Sequence, residues 1–97
     1  MQIGDAVSPV RGRDSGRVML IVGRSGDMLL IADGKVRPID RPKKKKPKHV
    51  KWIATLSGAV SDKLRSGEKV TGAELRRTIS EFSLAVSPDG GVSNGEG

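Results

Sequence analysis

The segment from Arg41 to Lys48 constrains the fold most, because it offers no apolar side chain to a core. Its sequence is Arg-Pro-Lys-Lys-Lys-Lys-Pro-Lys, and its two prolines disfavour a helix and remove two backbone hydrogen-bond donors. We therefore predict an exposed, extended loop over residues 41–48. The loop divides the 97-residue chain into two parts with different hydrophobic patterns, and a chain of this length has room for one domain.

Short apolar runs separated by glycine-containing turns fill the part before this loop. They predict strands over residues 5–10, 17–23, 28–32 and 35–39, and a last strand over residues 49–54 follows the loop. The second run is apolar at almost every position, so we expect both faces of that strand to be covered. Strands of this length and spacing are typical of a strongly bent sheet that closes into a small β-barrel.

The Asp33-Gly34 pair lies between the third and fourth predicted strands. It predicts a two-residue hairpin turn, because both central positions of such a turn require positive φ. The alternation in the following strand directs Val36 toward the core, and Ile39 is a second candidate for that face.

The hydrophobic pattern becomes helical after the last predicted strand. A first helix is predicted to bury the residues that recur every four positions, Leu56, Val60 and Leu64. Gly67 is a natural stop for this helix. Thr71 and Glu74 have the spacing of a capping box, so a second helix begins there. The buried stripe of the second helix is predicted to contain Leu75, Ile79 and Phe82 or Ser83.

These patterns divide the chain into three segments. Residues 1–54 form the barrel, including the basic loop, residues 55–84 form a helical extension, and residues 85–97 form a tail. The tail is rich in glycine and polar residues that cannot build a core, so we predict that it is disordered.

Positive charge is concentrated in the first half of the chain. Residues 1–51 contain 13 lysines and arginines against five aspartates, whereas residues 52–97 contain five against six acidic residues. The net charge of +7 therefore comes from one half, which favours a surface directed at a polyanion over a generally solvated surface. Charge alone does not distinguish RNA from double-stranded DNA.

The order of motifs resembles the KOW family. The resemblance rests on a basic turn, Gly12-Arg13-Asp14-Ser15-Gly16-Arg17, with Gly16 at the key glycine position, and on Ile31-Ala32-Asp33-Gly34, Arg37-Pro38-Ile39-Asp40, Lys48-His49 and the Thr71 to Arg76 helix start. The resemblance covers residues 3–82. Over this range the chain is similar to a group of small bacterial KOW-domain proteins, which are similar in turn to large-subunit ribosomal proteins of the archaeal and eukaryotic kind. Ser15 departs from the pattern, because a lysine or arginine is frequent there.

The resemblance implies an SH3-like barrel that binds RNA and is ribosomal or ribosome-associated. Its partners would be ribosomal RNA and ribosomal proteins. KOW barrels also occur in transcription elongation factors, so a protein-interaction module is the alternative. Ribonuclease treatment of co-purified material would separate the two, because partners bridged by RNA are lost.

Lysines and arginines in two segments are the candidate contacts with RNA. Adjacent ammonium groups repel one another until phosphates neutralise them, arginine offers a bidentate fork, and glycine lets a backbone approach a ligand. The predicted contacts are Arg11, Gly12, Arg13, Gly16, Arg17, Lys43, Lys44, Lys45, Lys46 and Lys48, with Arg37, Arg41 and Lys51 as a secondary rim. The alternatives are a solvated loop or targeting signal for the lysines, and a purely structural turn in which the two glycines bend the chain and Asp14 caps it.

Trp52 has two interpretations. We predict that it fills the core, because the chain has only one other aromatic residue, Phe82. The alternative is an exposed indole that stacks on an RNA base.

The composition disfavours other classes of function. Cysteine is absent and His49 is the only histidine, so we expect no metal site, cofactor or catalytic centre, and we predict that the protein is not an enzyme and has no small-molecule substrate. No apolar run is long enough for a membrane span, and the first residues do not resemble a signal peptide. We expect a cytoplasmic protein with no membrane partner.

Overall fold

The computed structural model describes residues 1–85, which form five strands, two helices and one 3-10 turn. The strands are β1 (Asp5–Pro9), β2 (Met19–Ser25), β3 (Met28–Ala32), β4 (Lys43–Lys45) and β5 (Val50–Thr55), and the helices are α1 (Ala59–Ser66) and α2 (Gly72–Ala85). The prediction of a mainly β fold with two C-terminal helices is confirmed. The predicted disordered tail over residues 85–97 lies, beyond Ala85, outside the described residues.

The strands form one antiparallel sheet in the order β4-β3-β2-β1-β5, with apolar side chains on both faces. One face carries a cluster made of Val7, Met19, Ile21, Leu29, Ile31 and Val50. The other face packs against the helical segment in a second cluster made of Ala6, Leu20, Ala32, Leu64, Val70 and Leu75. Successive residues of β2 therefore enter different clusters, as a period of two requires, and the prediction that this strand is covered on both faces is confirmed.

The sheet is open, because no ladder joins the edge strands β4 and β5 in the described residues. A flat sheet of this width would hold its edges about 19 Å apart, at about 4.8 Å per strand. Only residues 46–49 connect the edges, and most of that connection is the 3-10 turn Pro47–His49, which rises about 2 Å per residue. The sheet must therefore curve strongly to bring its edges toward each other.

The predicted strand over residues 35–39 is wrong. The backbone N–H groups of Asp33 and Gly34 both donate to the carbonyl of Arg37, at 3.1 and 3.0 Å. The Asp33 carboxylate accepts from the N–H groups of Lys35 and Arg37, at 2.9 and 2.8 Å. These local bonds satisfy the donors that a ladder would have used, so the segment is a compact turn and not a two-residue hairpin. Val36 consequently points outward and is 44% exposed.

The glycine of this turn is required by close packing. Gly34 has a φ of +75°, and a Cβ there would collide with the backbone carbonyl of Gly72 at the start of α2. The turn therefore lies directly against α2, and Ile39 beyond it packs against the helix-side cluster, in agreement with its predicted place.

The predicted loop over residues 41–48 is partly wrong. Its middle is extended, but Lys43–Lys45 pairs with β3 as an edge strand, with Lys44 opposite Leu30, and its last two residues enter the 3-10 turn. The ladder forms because β3 has a free edge there and both prolines fall outside the paired residues. A short, lysine-rich edge strand also discourages pairing with a second chain.

The helix ends agree with the sequence signals, but Leu56, which was predicted on the buried face of the first helix, lies between β5 and α1 and packs against the helix-side cluster from there. Gly67 ends α1 in the left-handed conformation, with a φ of +79°. The capping box before α2 forms, because the Thr71 hydroxyl accepts from the Glu74 N–H and the Glu74 carboxylate accepts from the Thr71 N–H, both at 3.1 Å. Lys63 donates to Glu74 at 2.9 Å and joins the two helices. Of the predicted stripe, Leu75 is buried, Ile79 and Phe82 are partly buried, and Ser83 is exposed.

Candidate nucleic-acid interface

The turn between β1 and β2 presents three arginines to solvent. Gly12 and Gly16 have φ values of +88° and +85°, and the N–H of Gly16 returns to the carbonyl of Pro9 at 3.2 Å. These glycines bend the chain, as the structural interpretation required. The bend leaves all three arginine side chains exposed, at Arg11, Arg13 and Arg17.

A buried ion pair supports this turn. Asp14 is 5% exposed, and its carboxylate accepts from Nε of Arg37 at 2.8 Å. The carbonyl of Asp14, and not its carboxylate, closes the turn by accepting from the N–H of Arg17 at 3.0 Å. Arg37, which was predicted as part of an RNA-binding rim, therefore neutralises a buried carboxylate and ties the two turns together.

The arginine turn adjoins the connection between β4 and β5. Nζ of Lys45 donates to the carbonyl of Arg11 at 3.4 Å, and a Cβ on Gly12 would lie 3.8 Å from the same ammonium. The N–H of Val10 donates to the carbonyl of His49 at 3.1 Å. The two basic segments therefore meet where the strand β1 ends. We call this place the basic junction, and it is formed by Arg11, Gly12, Lys45, Lys46, Lys48 and His49.

The electrostatic field of the basic junction acts on His49. Partial burial lowers the pKa of this imidazole, and the cationic groups of Lys48, Arg11, Lys45 and Lys46 lower it further. A lowered pKa favours the uncharged imidazole, so this side chain adds little further positive charge to the basic junction near neutral pH. An anion at the basic junction would relieve the mutual repulsion of these cationic groups.

The lysine run does not present all of its charges on one side. Residues opposite each other in a ladder share a face, so Lys43 and Lys45 lie on the face of Ile31 and Leu29, whereas Lys44 lies on the face of Leu30. Lys43 and Lys45 are half-buried, with their stems along that apolar surface. The structure therefore brings Lys45 to Arg11 and directs Lys44 away.

Arg17 lies at the edge of a different surface. A cleft of about 430 Å³ lies between the residues just before β2, the turn after β3 and α2, and its lining includes Arg17, Lys35 and Arg76 together with Asp33. Sequence reasoning missed Lys35 and Arg76, because nothing local predicts that the turn after β3 packs on α2. Arg41 and Lys51 are exposed, and Lys51 lies on β5 opposite Ser8.

The prediction that Trp52 belongs to the core is wrong. The indole is 50% exposed, and its Nε1–H donates to Oδ2 of Asp5 at 3.1 Å. Ala6 pairs with Ala54 and Val7 pairs with Trp52, so Ile53 is an extra residue that bulges from β5 and redirects its neighbour. Aliphatic side chains fill the core instead.

Comparison with protein-family models and with curated proteins identifies no relative of this chain. No protein-family model matches the chain, and no match was found among curated proteins. Function must therefore be argued from the chemistry of the surfaces. None of the helices described within residues 1–85 is long and apolar enough to cross a membrane.

Proposed function

We propose that the protein binds RNA through its phosphate backbone, as a ribosomal or ribosome-associated protein. One observation carries the proposal, namely that Lys45 of the lysine run contacts Arg11 of the arginine turn at 3.4 Å. Two basic segments that are 34 residues apart in the chain thus form one surface. If the lysines only kept the protein soluble, there would be no reason to expect them to lie against a second basic segment.

The residue types at the basic junction suit phosphate. Ammonium groups are point charges with rotatable donors, and guanidinium groups bind phosphate through two parallel hydrogen bonds. Such contacts displace condensed counterions and carry no base information, so specificity would come from the shape of the RNA. Proposed primary contacts are Arg11, Arg13, Lys45, Lys46 and Lys48, and outer contacts are Arg17, Arg41, Lys43, Lys44 and Lys51.

An SH3-like barrel of the KOW kind is part of this proposal. The sheet order places the first strand between the second and the fifth, and a short 3-10 turn connects the two sheet edges. The strong curvature that this connection demands supports a barrel-like sheet. The basic turn and its two positive-φ glycines stand between the first two strands, where the resemblance to KOW proteins expects them.

A filter-binding titration with single-stranded RNA at several salt concentrations tests the mechanism. Five phosphate contacts are expected to give a slope of roughly −3.5 in log affinity against log salt. A flat line would remove the electrostatic mechanism. Competition between RNA and double-stranded DNA of equal length then decides which nucleic acid is preferred.

A further inference from the structure

Trp52 exposes an aromatic surface that the phosphate contacts do not use. Half of the residue is accessible, although it is the only tryptophan of the chain and the core contains no aromatic residue that is fully buried. Leaving this much apolar surface in water is unfavourable, at about 25 cal/mol per Å². An exposed indole in a chain with so few aromatic residues calls for an explanation by function.

The indole is held in one orientation before any ligand arrives. Its N–H donates to Oδ2 of Asp5, which is 2% exposed and also accepts from the N–H of Gln2 at 3.0 Å. The other carboxylate oxygen of Asp5 lies 3.9 Å from Nη2 of Arg65. The Asp5 carboxylate that holds the indole is therefore itself held by the N–H of Gln2 and lies close to the Arg65 guanidinium. Little conformational entropy of the indole remains to be lost when a planar group stacks on it.

A cleft lies beside the indole and is large enough for a nucleobase. Its volume is about 570 Å³, and its walls combine apolar residues, among them Pro9, Val10 and Ile53, with Gly16, two serines and one cation, Lys51. Gly16 has no atom within 4 Å of the position where a Cβ would stand, so the turn leaves the entrance open. Gly16 belongs to the arginine turn, and the cleft therefore borders the surface proposed to hold phosphates.

We propose that Trp52 stacks on an unpaired nucleobase, while Lys51 takes a phosphate of the same strand. The inference rests on the proposed function and names its ligand more closely, as RNA with at least one unpaired nucleotide. A nucleotide is favoured over an apolar peptide because its base matches the apolar wall and its phosphate matches both Lys51 and the adjoining arginines. Every base has a π face, so the site would tolerate any sequence.

The fluorescence of Trp52 provides a direct measurement, since the chain contains no tyrosine. The full chain is titrated with a single-stranded oligonucleotide and with the same oligonucleotide carrying abasic positions throughout. We expect strong quenching by the first and little quenching by the second, because only the first can stack. Equal quenching by both would overturn the proposal, since proximity of the backbone would then explain the signal.

Substitutions separate stacking from apolar bulk. Trp52→Leu is expected to weaken binding of the base-containing strand by about tenfold, which lies within the range for one stacked base, and to leave binding of the abasic strand unchanged. Trp52→Phe keeps a π face and should retain most of the affinity, although it loses the bond to Asp5. Val36→Ala removes an exposed apolar side chain outside the cleft and serves as the control.

The outcomes distinguish the two proposals. If both strands bind with steep salt dependence but Trp52→Leu has no effect on either, the stacking proposal fails and the phosphate mechanism stands. If neither strand binds, the proposed function fails with it, and an apolar peptide becomes the alternative occupant of the cleft. Circular dichroism melts of each variant show whether the fold is intact.

Discussion

The cations of the sheet and the cations of the helices are used in different ways. In the helices, Lys63 binds Glu74, Arg65 donates to the carbonyls of Ile3 and Leu56, and Arg76 donates to the carbonyl of Gly34. Among the described residues, Arg37 is the one cation of residues 1–51 that lies within 4 Å of a carboxylate. Arg24 and Lys45 of the sheet half also donate to backbone carbonyls, but most of its charges are left for a partner, whereas three of the five cations of residues 52–97 stabilise the fold.

Among the substitutions proposed, removing two charges from the basic junction should weaken RNA binding most. Arg11→Gln with Lys45→Gln is expected to weaken RNA binding by about 25-fold near 0.1 M salt and to make the salt slope less steep by about 1.4, because two phosphate contacts are lost. Filter binding measures both quantities.

A matched control removes the same charge from the helical segment. Lys69→Gln with Arg77→Gln alters two exposed cations for which the described residues show no carboxylate within 4 Å. We expect a change in affinity of less than about threefold, from the reduced net charge. If the two double variants weakened binding equally, net charge and not the basic junction would account for the affinity.

Arg37 is the exception in the sheet half, because its charge is already paired, and its substitution is expected to affect stability and not RNA binding. Arg37→Ala leaves the buried Asp14 carboxylate without its partner, so the free energy of unfolding should fall by about 1.5 kcal/mol. This expected loss is smaller than the loss from breaking a fully buried ion pair, because the Arg37 side chain is 33% exposed. Urea denaturation measures the loss.

RNA binding by the folded Arg37→Ala protein should change little, since the guanidinium already serves Asp14. Arg77→Ala is the control, because it removes an exposed arginine that makes no ion pair with the described residues and is not among the proposed RNA contacts. A normal unfolding free energy together with a large loss of affinity would return Arg37 to the RNA-binding surface.

The sequence predicts the parts of this fold that depend on near neighbours. The capping box of Thr71 and Glu74 and the stop at Gly67 are local bonds within a few residues, and the apolar strands need only a period of two. The failures involve partners far along the chain. Lys43–Lys45 becomes a strand because β3 offers an edge, and Trp52 turns outward at the bulge in β5, where Asp5 accepts its N–H. No local pattern encodes either partner.

The candidate site, too, could be predicted from the sequence only in part. Residue type and charge predict which segments are basic, and Gly12 and Gly16 predict the turn, in which both adopt positive φ. The meeting of Lys45 with Arg11 and the separation of Lys44 from Lys45 depend on strand register, which the lysine run cannot specify by itself, because it has no apolar side chain to fix which face turns inward.

The smallest expected effect is a pH dependence that originates at the basic junction. His49 has a pKa below its ordinary value of 6.5, first through burial and then through the neighbouring cations. Bound phosphates would offset those cations and raise the pKa, so RNA binding should take up a proton. Affinity is therefore expected to increase as pH falls from 7.5 to 5.5, by no more than about fivefold, the contribution of one additional phosphate contact.

The free protein should respond to the same pH change in the opposite direction. Because the pKa of His49 is lower in the folded than in the unfolded chain, the unfolded chain binds more protons below pH 6.5, and stability falls as pH decreases through that window. His49→Gln removes the titrating group, so both trends should weaken together in binding and denaturation measured at pH 7.5 and 5.5. A variant that kept the full increase in affinity at low pH would show that the proton is taken up elsewhere, and His49 would then lie outside the surface that meets the phosphates.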